Sequence, residues 1–257
     1  HAVDRCELVL HYQPQVDPRG NCVGVEALLR WDNPLRGRVP PLDFIPLAEE
    51  VGLIVPLGYW VIHQACADMQ AMNARGVDPI HVAVNLSFKQ FADEKFAQTV
   101  GNIIDAAGID ARRLEFELTE TAIMSNVEDI ERCMQIIREI GPTFSLDDFG
   151  TGYSSFAHIQ RLPIGALKID RGFVQNVPTT HDDATIVKAM ISLAHNLGLK
   201  VIAEGAETGE QVDFLREHAC DQVQGYFFSR PLPFVELLDR MQRTFMPAAL
   251  AASTITV

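Results

Sequence analysis

The sequence predicts an α/β protein, a modified TIM (β/α)8 barrel whose first strand runs antiparallel to the others. Three observations carry this. Short apolar strand candidates alternate with helices of 3.6-residue period, which implies parallel strands joined by right-handed crossovers. Counting an initial hairpin there are eight strands, which in 257 residues favours a closed one-domain barrel over an open sheet. The chain opens on two apolar runs, Leu8–Val16 and Val23–Trp31, joined by the turn Asp17-Pro18-Arg19-Gly20-Asn21, which is an antiparallel hairpin pattern.

Helical stretches follow the hairpin. Asp43 is placed to cap the first, and Gly52 and Gly76 sit where helices stop. The longest charge-free run, Val51–Ala67, holds Pro56, His63 and Gln64 and reads as a buried helix rather than a membrane span. The remaining strands are His81–Leu86, Leu114–Leu118, Thr143–Asp147, Ala166–Ile169, Lys200–Ala203 and Asp221–Gln224. Between them run three apolar helix stripes: Phe96, Val100, Ile103, Ile104 and Ala107; Ile130, Cys133, Met134, Ile137 and Ile140; and Ile186, Met190, Leu193 and Leu197. The link before Ala166 holds only a short helix, Phe156–Leu162. No low-complexity segment, repeat or Gly/Ser linker interrupts the pattern. Residues 1–247 therefore read as a single barrel and 248–257 as a loose tail. The start HAVDRCE lacks the apolar region of a signal peptide and reads as the end of a helix. We expect a cytoplasmic fragment of a longer signalling protein, which could be membrane-anchored elsewhere, with no direct membrane contact from this segment.

With 47% hydrophobic and 21% charged residues, the composition excludes a largely disordered chain. A net charge of −13 disfavours polynucleotides and anionic membranes as partners. A small anionic substrate would need cations supplied locally. The five cysteines, Cys6, Cys22, Cys66, Cys133 and Cys220, include no CxxC pair and read as reduced thiols packed like small apolar groups. No HxxxH or HExxH occurs among the eight histidines, which argues against zinc; His63 and His195 read as helix packing or surface residues. Trp31, Trp60 and Phe149 read as core or loop packing.

The strand ends carry the chemistry. Buried barrel strands should be apolar, yet Asn85 ends VAVN, Glu117 ends LEFE, Asp147 and Asp148 end FSLDD, Glu204 ends VIAE and Gln224 ends DQVQ. Lys168 lies in ALKID, and Glu26 adds a carboxylate from the second strand. Any one of these could be a helix N-cap. Together they converge on the C-terminal mouth, where barrel active sites lie. Grouped carboxylates repel one another and need cations. An oxygen-only donor set suits Mg2+ or Mn2+ rather than zinc. The number of carboxylates exceeds what one such ion takes, and two ions sharing an aspartate is the usual arrangement for phosphoester hydrolysis.

The segments EALLRW (Glu26–Trp31), VNLS (Val84–Ser87), ELTE (Glu117–Glu120), DDFGTGYSSF (Asp147–Phe156), LKID (Leu167–Asp170), AEGAET (Ala203–Thr208) and QGYFFSRPL (Gln224–Leu232) resemble, in order and spacing, the EAL-domain cyclic di-GMP phosphodiesterases. The resemblance implies hydrolysis of cyclic di-GMP to linear pGpG. It implies that Glu26, Asn85, Glu117 and Asp147 hold a first metal, and that Asp147, Asp148 and Glu204 hold a second. Lys168 resembles the family's lysine at the nucleophilic water or scissile phosphate. Glu204 is foremost a metal or water ligand and only secondarily a base. Arg30 resembles a phosphate-contacting arginine, with a surface pair to Asp32 as the alternative. Gln13 and Gln224 match positions near the ligand, and Asp170 contacts the nucleotide or orients Lys168.

The stretch Phe149, Gly150, Thr151, Gly152 and onward to Ser155 resembles a loop that couples the metal site to dimerisation. Glu120 resembles its anchor, and Glu207 a carboxylate near Lys168; for each, a capping role at a helix start is the alternative. Two Mg2+ or Mn2+ ions per site, inhibition by Ca2+ and a homodimer follow as expectations. A receptor that binds cyclic di-GMP without cleaving it is the competing reading. It is disfavoured because every ligand position is filled. Ala206 and Phe156 depart from the commoner valine and leucine without touching the ligand set.

Overall fold

The structure, a computed structural model, describes residues 5–77, 80–124, 127–151 and 159–241. The chain's first four residues, Gly152, residues 156–158 at the start of the expected Phe156–Leu162 helix and the 248–257 tail lie outside the described residues.

β1 (Leu8–Val16) and β2 (Cys22–Asn33) form the expected antiparallel hairpin, in register from Leu8 against Trp31 to Gln13 against Glu26. The Asp17 carboxylate closes the turn by accepting from the amides of Arg19 and Asn21 at 2.8 and 2.9 Å. A short β3 (Gly37–Val39) folds back antiparallel on the end of β2. The parallel series follows: β4 (His81–Asn85), β5 (Leu114–Thr119), β6 (Thr143–Phe149), β7 (Ala166–Ile169), β8 (Lys200–Glu204) and β9 (Gln222–Gln224). β1 closes the ring by pairing antiparallel with β9, Gln15 opposite Gln224, and carries a two-residue β10 (Leu232–Pro233). The barrel is thus a modified TIM barrel with one reversed strand. The short β3 and β10 are additions that alternation of long apolar runs does not reveal.

The helices lie outside the ring. α1 (Pro41–Glu50) begins on Pro40 with no side-chain cap, so Asp43 sits inside its first turn instead of capping it. Two prolines preset the entry, which leaves the capping role open. α2 (Ile54–Ala74) takes up the charge-free run as far as Ala67 and is buried along Val61, Ile62, Ala65, Cys66, Met69 and Met72. Gly52 and Gly76 follow the two helices with φ of 75° and 67°. α3 (Phe96–Ala107) and α5 (Val127–Ile140) bury the expected stripes, and α4 (Glu120–Met124) is a single turn directly after β5. After α6 (Arg171–Val174) comes α7 (His181–Asn196), where the expectation fails by about one residue. Its buried face is Ala184, Val187, Met190, Ile191 and Ala194, and Ile186 is exposed. The two alanines at the barrel wall carry no strong hydropathy signal, so the larger neighbours drew the stripe aside. Cys66 and Cys220 are buried and all five cysteines are free, but Cys6 is exposed at the entrance to β1.

α8 (Gly209–Glu217) and α9 (Phe234–Met241) complete the described chain. Between β9 and β10 the backbone of Gly225 lies against the peptide of Ala206. A Cβ at Gly225 would stand 2.0 Å from the Ala206 carbonyl oxygen and 2.4 Å from its nitrogen. Gly225→Ala should therefore cost about 1–3 kcal/mol in urea denaturation, because backbone must move. Unchanged stability would contradict this close approach.

Candidate metal and phosphate centre

Because β2 and β4 to β9 are parallel, their C-terminal ends open on one mouth. Glu26 enters from β2, Asn85 ends β4, Glu117 lies in β5, Asp147 in β6, Lys168 in β7, Glu204 ends β8 and Gln224 ends β9. Lys168 is wholly buried, and its Nζ lies 2.6 Å from Glu204, 2.8 Å from Glu117, 3.3 Å from Asp147 and 3.8 Å from Glu26. Asn85 Nδ2 and Gln224 Nε2 donate to the two oxygens of Glu26 at 2.7 and 2.6 Å, and Gln224 also donates to Gln13 at 3.2 Å.

Burial works against the charge on Lys168. The carboxylates of Asp147, Glu117, Glu204 and Glu26 overcome it and hold the ammonium well above its ordinary pKa. One lysine does not balance them all. Burial pushes Glu117 well above the usual carboxylate range despite Lys168, with Glu26, Asp147 and Glu204 adding repulsion. Burial, opposed by Lys168, pushes Glu204 up to about 8. Burial and the neighbouring Asp147 raise Asp148. In Glu26, burial is outweighed by Lys168 and by the Gln224 and Asn85 amides, and the pKa falls.

Asp147 and Asp148 are consecutive, and consecutive strand residues ordinarily face opposite ways. A bulge between Leu146 and Phe149, with Asp148 at φ 53°, breaks that alternation. It brings oxygens of Asp147, Asp148 and Glu204 within 4.8 Å of one another. These oxygens, with Glu117 Oε1 buried and without a hydrogen-bond partner, form a donor set suited to hard divalent cations.

Phe149 is buried and begins the loop. Glu120, buried at the start of α4, accepts from the Gly150 amide at 3.2 Å, and Thr151 Oγ1 donates to the Asp148 carbonyl at 2.8 Å.

Two cavities flank the cluster and share Leu28 as a wall. One, of about 250 Å3, is lined by Gln13, Glu26, Asp147, Glu204, Arg171 and Glu207 among others. The other, of about 530 Å3, is mostly apolar and includes Arg30, Asn85, Pro46, Leu57 and Phe88. Arg30 does not pair with Asp32, which is held bidentately by Arg38; its Nη1 donates to the Leu29 carbonyl at 2.9 Å. Asp170 caps α6, accepting from the Gly172 amide at 2.9 Å. Glu207 pairs with Arg171 at 2.9 Å on the mouth's rim. Arg171 was missed from sequence. The available signal was its place directly after Asp170, one step beyond the end of a barrel strand.

Lys168→Met should destabilise the protein in EDTA by about 3–5 kcal/mol in urea titrations, since it leaves buried carboxylates uncompensated. A neutral effect would mean that they are protonated and need no lysine.

The EAL domain family model matches residues 1–231. The bifunctional diguanylate cyclase/cyclic di-GMP phosphodiesterase MucR of Pseudomonas aeruginosa is 42% identical over 238 residues, 92% of this chain and 35% of its own length. The cyclic di-GMP phosphodiesterase NbdA of the same organism is 43% identical over 232 residues, 90% of this chain and 30% of its own length. The chain thus spans about a third of these curated relatives. Among solved structures, the PaMucR phosphodiesterase in complex with c-di-GMP superposes with a TM-score of 0.88 at 42% identity, covering 92% of this chain and 96% of that one. The cAMP- and cyclic-di-GMP-bound form of the EAL enzyme Bd1971 gives 0.88 at 31% identity, covering 93% and 66%. With its motifs in order, its mouth built from these strand ends and nearly its whole length matched, the chain belongs to the EAL domain family.

Proposed function

We propose that this chain is a metal-dependent phosphodiesterase that hydrolyses cyclic di-GMP to linear pGpG. The observation that carries the reading is the buried cluster of carboxylates around Lys168, set between two cavities that share Leu28. A phosphodiester at the cluster, with a base in each cavity, matches a two-base cyclic ligand. Relatives named as cyclic di-GMP phosphodiesterases support the substrate.

Glu26, Asn85, Glu117 and Asp147 would hold one Mg2+ or Mn2+, and Asp147, Asp148 and Glu204 a second. Such ions lower the pKa of water and neutralise phosphoryl oxygens. The chain's own side chains then have separate tasks. Lys168 Nζ, between Glu117 and Glu204, holds the attacking water against the scissile phosphorus. Glu204 is first a metal or water ligand, and secondarily would receive the proton that the water loses. The water oxygen bonds to phosphorus as the P–O bond to the 3′ oxygen breaks, and that oxygen leaves as a hydroxyl with a proton taken from solvent. Arg30 donates to a phosphate oxygen, for which a planar fork of donors is suited. Gln13 and Gln224 orient Glu26 and the bound ligand, and Asp170 stiffens the turn after Lys168.

Glu120 ties Gly150, directly after β6, to the end of β5, which would give a homodimer contact near Gly150 a route to Asp148. A homodimer and a cytoplasmic location are supported by the family resemblance. Among the described residues no helix is long and apolar enough to cross a membrane.

Mg2+ or Mn2+ should support production of pGpG, measured by chromatography, and EDTA should abolish it. Ca2+ should bind but inhibit, because its looser shell misplaces the water. Glu26→Ala should lose at least about a hundredfold in rate. Robust turnover in EDTA would sink the metal role, and binding of cyclic di-GMP without pGpG would establish a receptor instead.

A further inference from the structure

We infer that Arg171 and Glu207 form a guanine-reading pair, which sets base specificity at the smaller cavity. The inference rests on the reading of the mouth as a cyclic di-GMP site. It concerns residues beyond the carboxylate cluster and Lys168.

Arg171 is the only lysine or arginine lining that cavity among the described residues. Its side chain is fixed from three directions. The alkyl stem lies on Gly205, where an added Cβ would stand 2.3 Å from Arg171 Cγ. The Gln175 carboxamide, turned so that its oxygen faces the guanidinium, accepts from Nε and Nη2. Glu207 Oε1 accepts from Nη2 at 2.9 Å. Buried Gln211 locks the backbones that carry these groups: it donates to the Gln175 carbonyl at 2.9 Å and accepts from the Glu207 amide at 2.7 Å. Both side chains are otherwise half exposed and border the cavity.

The pairing decides what such an arginine can do. Its charge is already matched by Glu207, so it adds little net attraction for a phosphate. What remains is direction: the fork has donor edges beyond those Glu207 and Gln175 use, and Glu207 has a second oxygen. A donor beside an acceptor complements guanine, which presents the O6 acceptor next to the N1–H and N2–H donors. Adenine offers only one donor, N6–H, beside one acceptor, N1, and meets the pair only with the ring turned over and without guanine's second donor at N2. A cavity of about 250 Å3 accommodates one purine. Gly205 follows Glu204 directly, so a base held by Arg171 lies next to the cluster where its phosphate must sit.

The test compares cyclic di-GMP with cyclic di-AMP, by hydrolysis in Mg2+ and by equilibrium competition binding, on the whole chain. Wild type should prefer the guanine ligand. Arg171→Ala and Glu207→Gln should each lose roughly tenfold to a hundredfold for cyclic di-GMP, chiefly in KM or Kd, with cyclic di-AMP little changed. Arg171→Lys should not rescue, because an ammonium lacks the fork. Equal losses for both ligands, rescue by lysine, or unchanged selectivity would overturn the inference while leaving hydrolysis of cyclic di-GMP standing. A wild type that binds cyclic di-GMP without cleaving it would overturn the catalytic reading alone, since selectivity is still read from binding. A wild type that binds neither would overturn both.

Discussion

The mouth of this barrel depends on one buried charge. Lys168 has no exposed surface, and four carboxylates lie within 4 Å of its Nζ. An ammonium alone in such a place would shed its proton, and carboxylates alone would take protons up. Each sign keeps the other ionised. The balance is incomplete, however: one ammonium faces four carboxylates, and Asp148 brings them to five. The arrangement is a poor device for stability, since desolvation consumes most of what the attraction returns. It is a good device for attracting more positive charge. Protons at Glu117 and Glu204, or divalent cations among the oxygens, are the two ways of meeting the excess.

That constraint explains several local features. Asn85 and Gln224 each give a hydrogen to Glu26, the carboxylate whose pKa falls. Glu117, its Oε1 without such a donor, is driven upward instead. The bulge in β6 gathers two consecutive aspartates against Glu204, at the cost of a left-handed backbone at Asp148. The Gly150 amide is then held by Glu120, so the strained turn is braced from the neighbouring strand. Strain at the site and support from outside it belong together.

The same constraint places the acidity of the chain. A net charge of −13 looks unfavourable for any anionic ligand. Part of it is confined to the mouth. There Lys168 lies among carboxylates, Arg171 is paired with Glu207, and Arg30 lines a mostly apolar cavity. Arg30 is the least neutralised of the three, bonding a backbone carbonyl instead of a carboxylate. The mouth therefore grades from charge at the centre to apolar surface at one side.

Most of the architecture was legible in the chain itself, because strand and helix periods differ and because polar residues ending apolar runs have one place to go in a parallel barrel. Those rules account for the convergence of Glu26, Glu117, Asp147 and Glu204 on Lys168. They are less informative where hydropathy is weak: the α7 face turned toward Ala184 and Ala194, and β3 and β10 were too short to register. They also fail for polar partners. Asp43 capped nothing, and the pairing of Glu207 with Arg171 left no signal in the chain. The sequence by itself determined which residues reach the mouth, since strand order and side-chain alternation are periodic and local. Only the tertiary structure decided which oxygen meets which donor, and that Asp147 and Asp148 face the same point, because those depend on a bulge and on contacts between strands far apart in the chain.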